Sequence, residues 1–148
     1  MDWDEFSAKL TVTLADLPAG ALVVISEAEE VEDGHYTQFA QGDDHLLAYV
    51  VANCFLASHL QASQEGEHII SQAGWHESPP GHPADNWWYQ LQWPASSAQY
   101  RELADMAIVA LRDGYGISNP DGWWYRAWNE RTGNEAIELP RLGLPRKL

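Results

Sequence analysis

Residues 21–52 read ALVVISEAEEVEDGHYTQFAQGDDHLLAYVVA, and the fold turns on how this stretch divides. Ala21 to Ser26 is rich in Val and Ile, which suits a pleated strand. Asp33-Gly34 marks a turn, and His35 to Gln41 follows it as a second extended run. Gly42-Asp43-Asp44 then reads as a tight hairpin leading into His45 to Ala52. In that third run Leu46, Leu47, Val50, Val51 and Cys54 also fit a helical face, but its length and its valines favour a strand.

Helical patterns flank these strands. Asp2 and Glu5 occupy capping-box positions ahead of Trp3, Phe6, Leu10, Leu14 and Leu17, a stripe with three- and four-residue spacing that Pro18 and Gly20 end. Downstream, Gln61 to Ala73 reads as a polar helix capped by Ser63 and ended by Gly74, and Ser78 to Pro83 as a loop. Asn86 to Trp93 is a strongly aromatic strand. Ser96 and Gln99 form a second capping box before Tyr100, Leu103, Ala104, Ala107, Ile108 and Leu111, with Gly114 and Gly116 closing that helix. Trp123 to Trp128 reads as a late strand, although Asn119-Pro120 could equally open a helical turn, and Arg131 to Gly133 is a further turn. No internal repeat is present. The pattern predicts an α+β fold, an antiparallel sheet with helices packed on it. It divides into one domain over residues 1–134 and a Pro-rich tail, 135–148, able to pack on that domain.

The length of 148 residues suits a single domain that needs no disulfide or metal to hold its core. Charge is distributed unevenly along the chain. Residues 1–85 hold fifteen acids and one Lys, whereas residues 86–148 hold seven acids and seven bases, so the net charge of −14 belongs to the first part. Such a balance repels nucleic acid and anionic membrane and attracts basic partners. The start, Met-Asp-Trp-Asp-Glu, is the reverse of a basic signal peptide. The longest apolar run, Leu46 to Ala52, is far shorter than the roughly 20 residues that span a bilayer. A soluble, cytoplasmic protein is the expectation.

Certain phrases carry a family resemblance: Asp2-Trp3-x-x-Phe6, Leu17-Pro18-x-Gly20, Tyr36-Thr37-Gln38-Phe39, Gly74-Trp75 and Asn86-Trp87-Trp88. Tyr100-x-x-Leu103-Ala104 and Leu111-Arg112-x-x-Tyr115-Gly116 continue them. In this order and spacing, from about Asp2 to Trp128, the chain resembles the actinobacterial domains grouped with type III secretion chaperones and YbjN-like proteins, the TY-Chap group. The resemblance implies an α-β-β-β-α-β-β-α order, a tendency to form homodimers, and a chaperone or peptide-binding role in place of catalysis. It supplies no catalytic or ligand residues.

The residues themselves point the same way. His76 and His82 flank a Pro-Gly loop and Glu65-x-x-His68 shares a helical face, but no Cys pair or His-x-x-x-His completes a metal set. The single cysteine, Cys54, sits in Asn53-Cys54-Phe55-Leu56, an apolar context that suggests a buried, inert thiol. No Gly-x-Ser-x-Gly elbow and no glycine-rich phosphate loop occurs. No catalytic residue, metal or cofactor is therefore assigned, and a non-enzymatic module is expected.

Candidate partner-binding residues are Trp87, Trp88, Trp93, Trp123, Trp124 and Trp128, with the acids Glu29, Glu30, Asp43 and Asp44. Trp3 and Trp75 are assigned to the core. Neighbours on a strand face opposite ways, so one Trp of each adjacent pair packs inward while its neighbour is free to anchor a partner. Trp88 and Trp124 are the natural anchors, set against the reading in which all six are core and sheet aromatics. The acids Glu27 to Asp33 and Asp43-Asp44 sit in loops at opposite ends of the second strand, either as solvated loops or as a dock for a basic partner. Three functions fit: a chaperone-like binder of protein segments, an immunity or inhibitor protein masking a basic toxin surface, and a small-molecule or carbohydrate binder using paired Trp rings.

Overall fold

The computed structural model describes residues 1–78 and 86–148. Strands β1 (Ala21–Ser26), β2 (Tyr36–Gln41) and β3 (His45–Val50) are the three expected within residues 21–52. Burial alternates along each of them, because successive side chains point to opposite faces of a pleated strand. Alternation also settles the third run as a strand: Leu46, Ala48 and Val50 are buried, while Leu47 and Tyr49 lie half-buried on the other face. The Gly42 amide donates to the His45 carbonyl at 2.8 Å and closes the expected hairpin.

Strand β4 (Trp87–Gln92) pairs with β3, and β5 (Trp124–Asn129) pairs with β1. The two-residue β6 (Glu135–Ala136) extends the far edge, giving an antiparallel sheet of order β4-β3-β2-β1-β5-β6. Helices α1 (Trp3–Ala15), α2 (Gln64–Ala73) and α3 (Ser97–Ile108) complete the expected α+β class. Their starts are fixed by side chains that satisfy otherwise orphaned amides. Asp2 accepts from the Glu5 amide, Ser63 from Gly66, and Ser96 and Gln99 form a full capping box. The expected loop Ser78 to Pro83 lies, beyond Ser78, outside the described residues, as does His82.

The element order is α-β-β-β-α-β-α-β-β, close to the expected α-β-β-β-α-β-β-α but with α3 between β4 and β5 and the short β6 at the end. The cause is geometric. β4 is an edge strand and β5 lies beyond β1, and the pairings make these two strands run in the same direction. The chain must return along a full strand length before re-entering the sheet, which is what a crossover helix does.

All three helices bury onto one face. Phe6, Leu10 and Leu14 of α1, Ile70 of α2 and Leu103 and Ala107 of α3 join Val23, Ile25, Phe39, Ala48, Val50 and Trp87 in one core. Trp3 and Trp75 are core residues, 4% and 2% exposed. Past Ile108, α3 widens into a π turn, Val109–Gly114, that packs on α2. A Cβ on Gly66 would stand 2.2 Å from the Gly114 carbonyl oxygen, so only glycine permits this approach.

Two expectations change. Cys54 is exposed, because β3 ends at Val50 and the chain runs out into the short helical turn Asn53–Phe55, in which no residue is buried. The charge imbalance along the sequence does not become an equally one-sided surface. Arg131 pairs with Asp43, Arg141 with Asp16 and Lys147 with Glu29, so bases of the second part lie on acids of the first.

The tail returns to the body. Leu142, within the turn Pro140–Leu142, is fully buried, and the Leu139 amide donates to the Tyr125 hydroxyl at 2.8 Å.

Candidate functional site

Strand alternation that buries one sheet face against the helices turns the other set of side chains away from them. Among the described residues this second face carries Leu22 and Val24 of β1, Tyr36, Gln38 and Ala40 of β2, and Leu47 and Tyr49 of β3. Trp88 of β4 and Trp124, Arg126 and Trp128 of β5 belong to it as well. The register aligns them in rows. Trp128, Leu22, Ala40 and Leu47 lie side by side across four strands, and beside them run Arg126, Val24, Gln38, Tyr49 and Trp88. Each large apolar side chain here is half-buried, shielded by its cross-strand neighbours and not by a helix.

The candidate tryptophans separate into two groups. Trp87 and Trp123, 3% and 2% exposed, lie in the core and cannot meet a partner in the folded chain. Trp88, Trp124 and Trp128 lie on the uncovered face, half-buried. Trp93 is half-buried at the core margin, its amide donating to the Asp44 carbonyl at 3.0 Å. The three face tryptophans do not form one cluster: Trp88 is four strand spacings from β5, roughly 19 Å at the usual separation. They frame an apolar floor of Leu22, Val24, Leu47 and Tyr49, residues that a search for aromatic pairs passes over. Their sequence signal was the unbroken apolar run in β1 and β3, which puts apolar side chains on both faces of the sheet.

Each frame residue is fixed by a polar or cationic contact. The Trp124 indole donates to the Glu27 carbonyl at 3.1 Å, and the Lys147 ammonium lies 4.7 Å from its ring centroid. The Arg126 guanidinium lies 5.6 Å from the Trp128 ring, and the His76 ring sits 4.7 Å from that of Trp88. These contacts fix how the rings are oriented on the folded chain.

The acidic residues also divide. Between β1 and β2, Glu27, Glu29, Glu32 and Asp33 line a pocket of about 400 Å³ whose walls include Tyr36, Phe55 and Trp124. Glu27 is structural: its carboxylate accepts from the His35 amide at 3.0 Å and lies 2.7 Å from His35 Nδ1. His35, which is buried, also places Nε2 2.8 Å from the Leu60 carbonyl, so this pair ties the loop to the following turn. Glu29 and Glu30 are exposed, and Glu29 meets Lys147. At the opposite end of β2, the Arg131 guanidinium beside Asp43 holds that carboxyl below the usual carboxylate range, while Asp44 lies 2.7 Å from His45 Nδ1. The two acidic loops are thus separate features. Among the described residues, no three His, Cys, Asp or Glu side chains converge as a metal set, and no helix is long and apolar enough to cross a membrane.

A one-sided helical layer on an open antiparallel sheet, with apolar side chains on the uncovered face, defines the class: an α+β domain with helices on one face of its sheet. The family described as T3SS (YopN, CesT) and YbjN peptide-binding chaperone 3 matches residues 1–129, and the chain belongs to it. The match ends with β5, so β6 and the tail lie outside it. No curated protein and no solved structure matches the chain.

Proposed function

We propose that this protein is a non-enzymatic, cytoplasmic, chaperone-like module that holds a segment of another protein on the uncovered face of its sheet. The observation that carries this reading is the placement of all three helices on one face, with Leu22, Leu47, Tyr49, Trp88, Trp124 and Trp128 on the other. Apolar side chains framed by indoles favour docking of an amphipathic segment. Membership of a peptide-binding chaperone family supports a protein partner over a small ligand. The exposed acids Glu29 and Glu30 favour a basic one, speeding association more than adding affinity.

The test is affinity capture from a lysate of the source organism with the wild-type protein and with Leu47→Glu, each at low and high salt. A protein retained by the wild type and lost by the variant, with both equally folded by circular dichroism, is the expected result. Retention by both would remove the sheet face from the proposal. Light scattering on the same samples distinguishes a second copy of this chain as the occupant, since Leu47→Glu would then convert a dimer to a monomer.

A further inference from the structure

Beyond the family match, the end of the chain is seated in a way that resembles a bound ligand. Leu142 anchors the tail in the core, and Gly143 then turns with a φ of 72°, a left-handed conformation that suits glycine. From there the chain runs parallel to β5 at its outer edge, beyond the end of β6. The Tyr125 amide donates to the Pro145 carbonyl at 3.0 Å, and the Lys147 amide donates to the Tyr125 carbonyl at 2.8 Å. Lys147 places its ammonium on the Glu29 carboxylate and against the Trp124 ring, and both residues line the acidic pocket.

This seat combines three recognition elements: a strand edge for backbone, an aromatic face for a cation, and a carboxylate for its charge. The segment is held by the two backbone bonds, the Lys147 contacts, an Arg146–Glu138 ion pair at 3.4 Å and Leu144, which is partly buried against the core. Lys147 and Glu29 are 33% and 69% exposed, so their pair is largely screened by solvent, and Leu148 is 91% exposed. By contrast, the edge left behind would carry an unpaired amide and carbonyl on Tyr125, a residue 3% exposed. Such an open edge is a template on which another extended segment can pair.

We propose that residues 144–148 are an internal occupant of a binding site for an extended, basic protein segment, which must displace them to add at the β5 edge with a Lys or Arg between Glu29 and Trp124. The proposal rests on the reading above only in taking the partner to be a protein segment; the site is the outer edge of β5, which shares Trp124 with the sheet face. As an intramolecular competitor, the tail lowers the apparent affinity for any partner by the fraction of time the site stands open.

The test uses the full chain and a fluorescent synthetic peptide, Leu-Pro-Arg-Lys-Leu, identical to residues 144–148. Lys147→Glu in the protein loosens its own segment, so anisotropy should report binding about tenfold tighter than to the wild type if the site is open about a tenth of the time. Adding Glu29→Gln to that variant should reverse the gain, and a peptide with Met in place of Lys should bind neither protein tightly. Hydrogen exchange should accelerate at the Tyr125 and Lys147 amides in Lys147→Glu. Equal peptide affinity for wild type and Lys147→Glu, unchanged exchange, or indifference to Glu29→Gln would each overturn the proposal. Leu47→Glu should leave peptide binding unchanged; loss there would place the peptide on the sheet face, whereas failure of lysate capture alone would leave this edge site standing.

Discussion

The indole N–H of Trp75 donates to the main-chain carbonyl of Met106 at 2.9 Å, joining the chain two residues past α2 to the last turn of α3 inside the core. The bond puts a polar group of a core tryptophan to use where water cannot reach. Trp75→Phe keeps an aromatic ring but removes the donor. The expected loss is roughly 1–3 kcal/mol, read as a lower midpoint in urea unfolding. An unchanged midpoint would mean the indole donor adds nothing to a Met106 carbonyl that the Val109 amide already serves.

Leu103 is 1% exposed on the inner face of α3. Truncation to Ala leaves a cavity that the surrounding helices close only partly, so Leu103→Ala should cost roughly 2–5 kcal/mol. A loss near zero in the same unfolding measurement would remove this helix face from the core.

Such positions were legible in the sequence because helical spacing is a local signal. The α1 and α3 stripes, both capping signals and the hairpin at Gly42-Asp43-Asp44 all depend on neighbours a few residues apart. What could not be read was long-range. The pairing of Leu22 with Trp128 spans most of the chain, and it decides which side chains share the uncovered face. Cys54 looked buried because Phe55 and Leu56 are apolar, yet the end of β3 at Val50 carries it to the surface. The charge asymmetry was real in sequence and partly cancelled in space by Arg131, Arg141 and Lys147.

The adjacent pair Trp87 and Trp88 makes an internal control for the two sheet faces. Trp87 opposes Val50 in the core, and Trp88 opposes Tyr49 on the uncovered face. Trp87→Ala should destabilise by roughly 3–5 kcal/mol. Trp88→Ala should leave the melting temperature nearly unchanged and weaken association with a partner or second copy. A large fall in melting temperature for Trp88→Ala would make it a structural residue and take it out of the binding surface.

Asp43 and Arg131 are exposed on both sides of their ion pair, where solvent and salt screen most of the attraction. Asp43→Asn should therefore change the melting temperature only slightly, and the small difference should vanish in high salt. A large, salt-independent loss would show that the pair holds the hairpin to the turn after β5.

Tyr115 donates its hydroxyl to the Val51 carbonyl, and burial, with the Glu67 carboxylate adding to it, raises the hydroxyl's pKa well above its ordinary value. A raised pKa means the folded state resists the charged, deprotonated form more than the unfolded chain does. The contribution to stability is thus complete below the unfolded value of about 10 and is lost as pH rises from there toward the folded one. Tyr115→Phe should be less stable at neutral pH by roughly 1–3 kcal/mol, because the fully buried Val51 loses its donor. It should also lose less stability than the wild type between pH 9 and 11, roughly the range where an unshifted phenol ionises, so the two unfolding midpoints converge. Parallel curves across that range would mean the hydroxyl ionises as readily in the folded protein as in the unfolded chain.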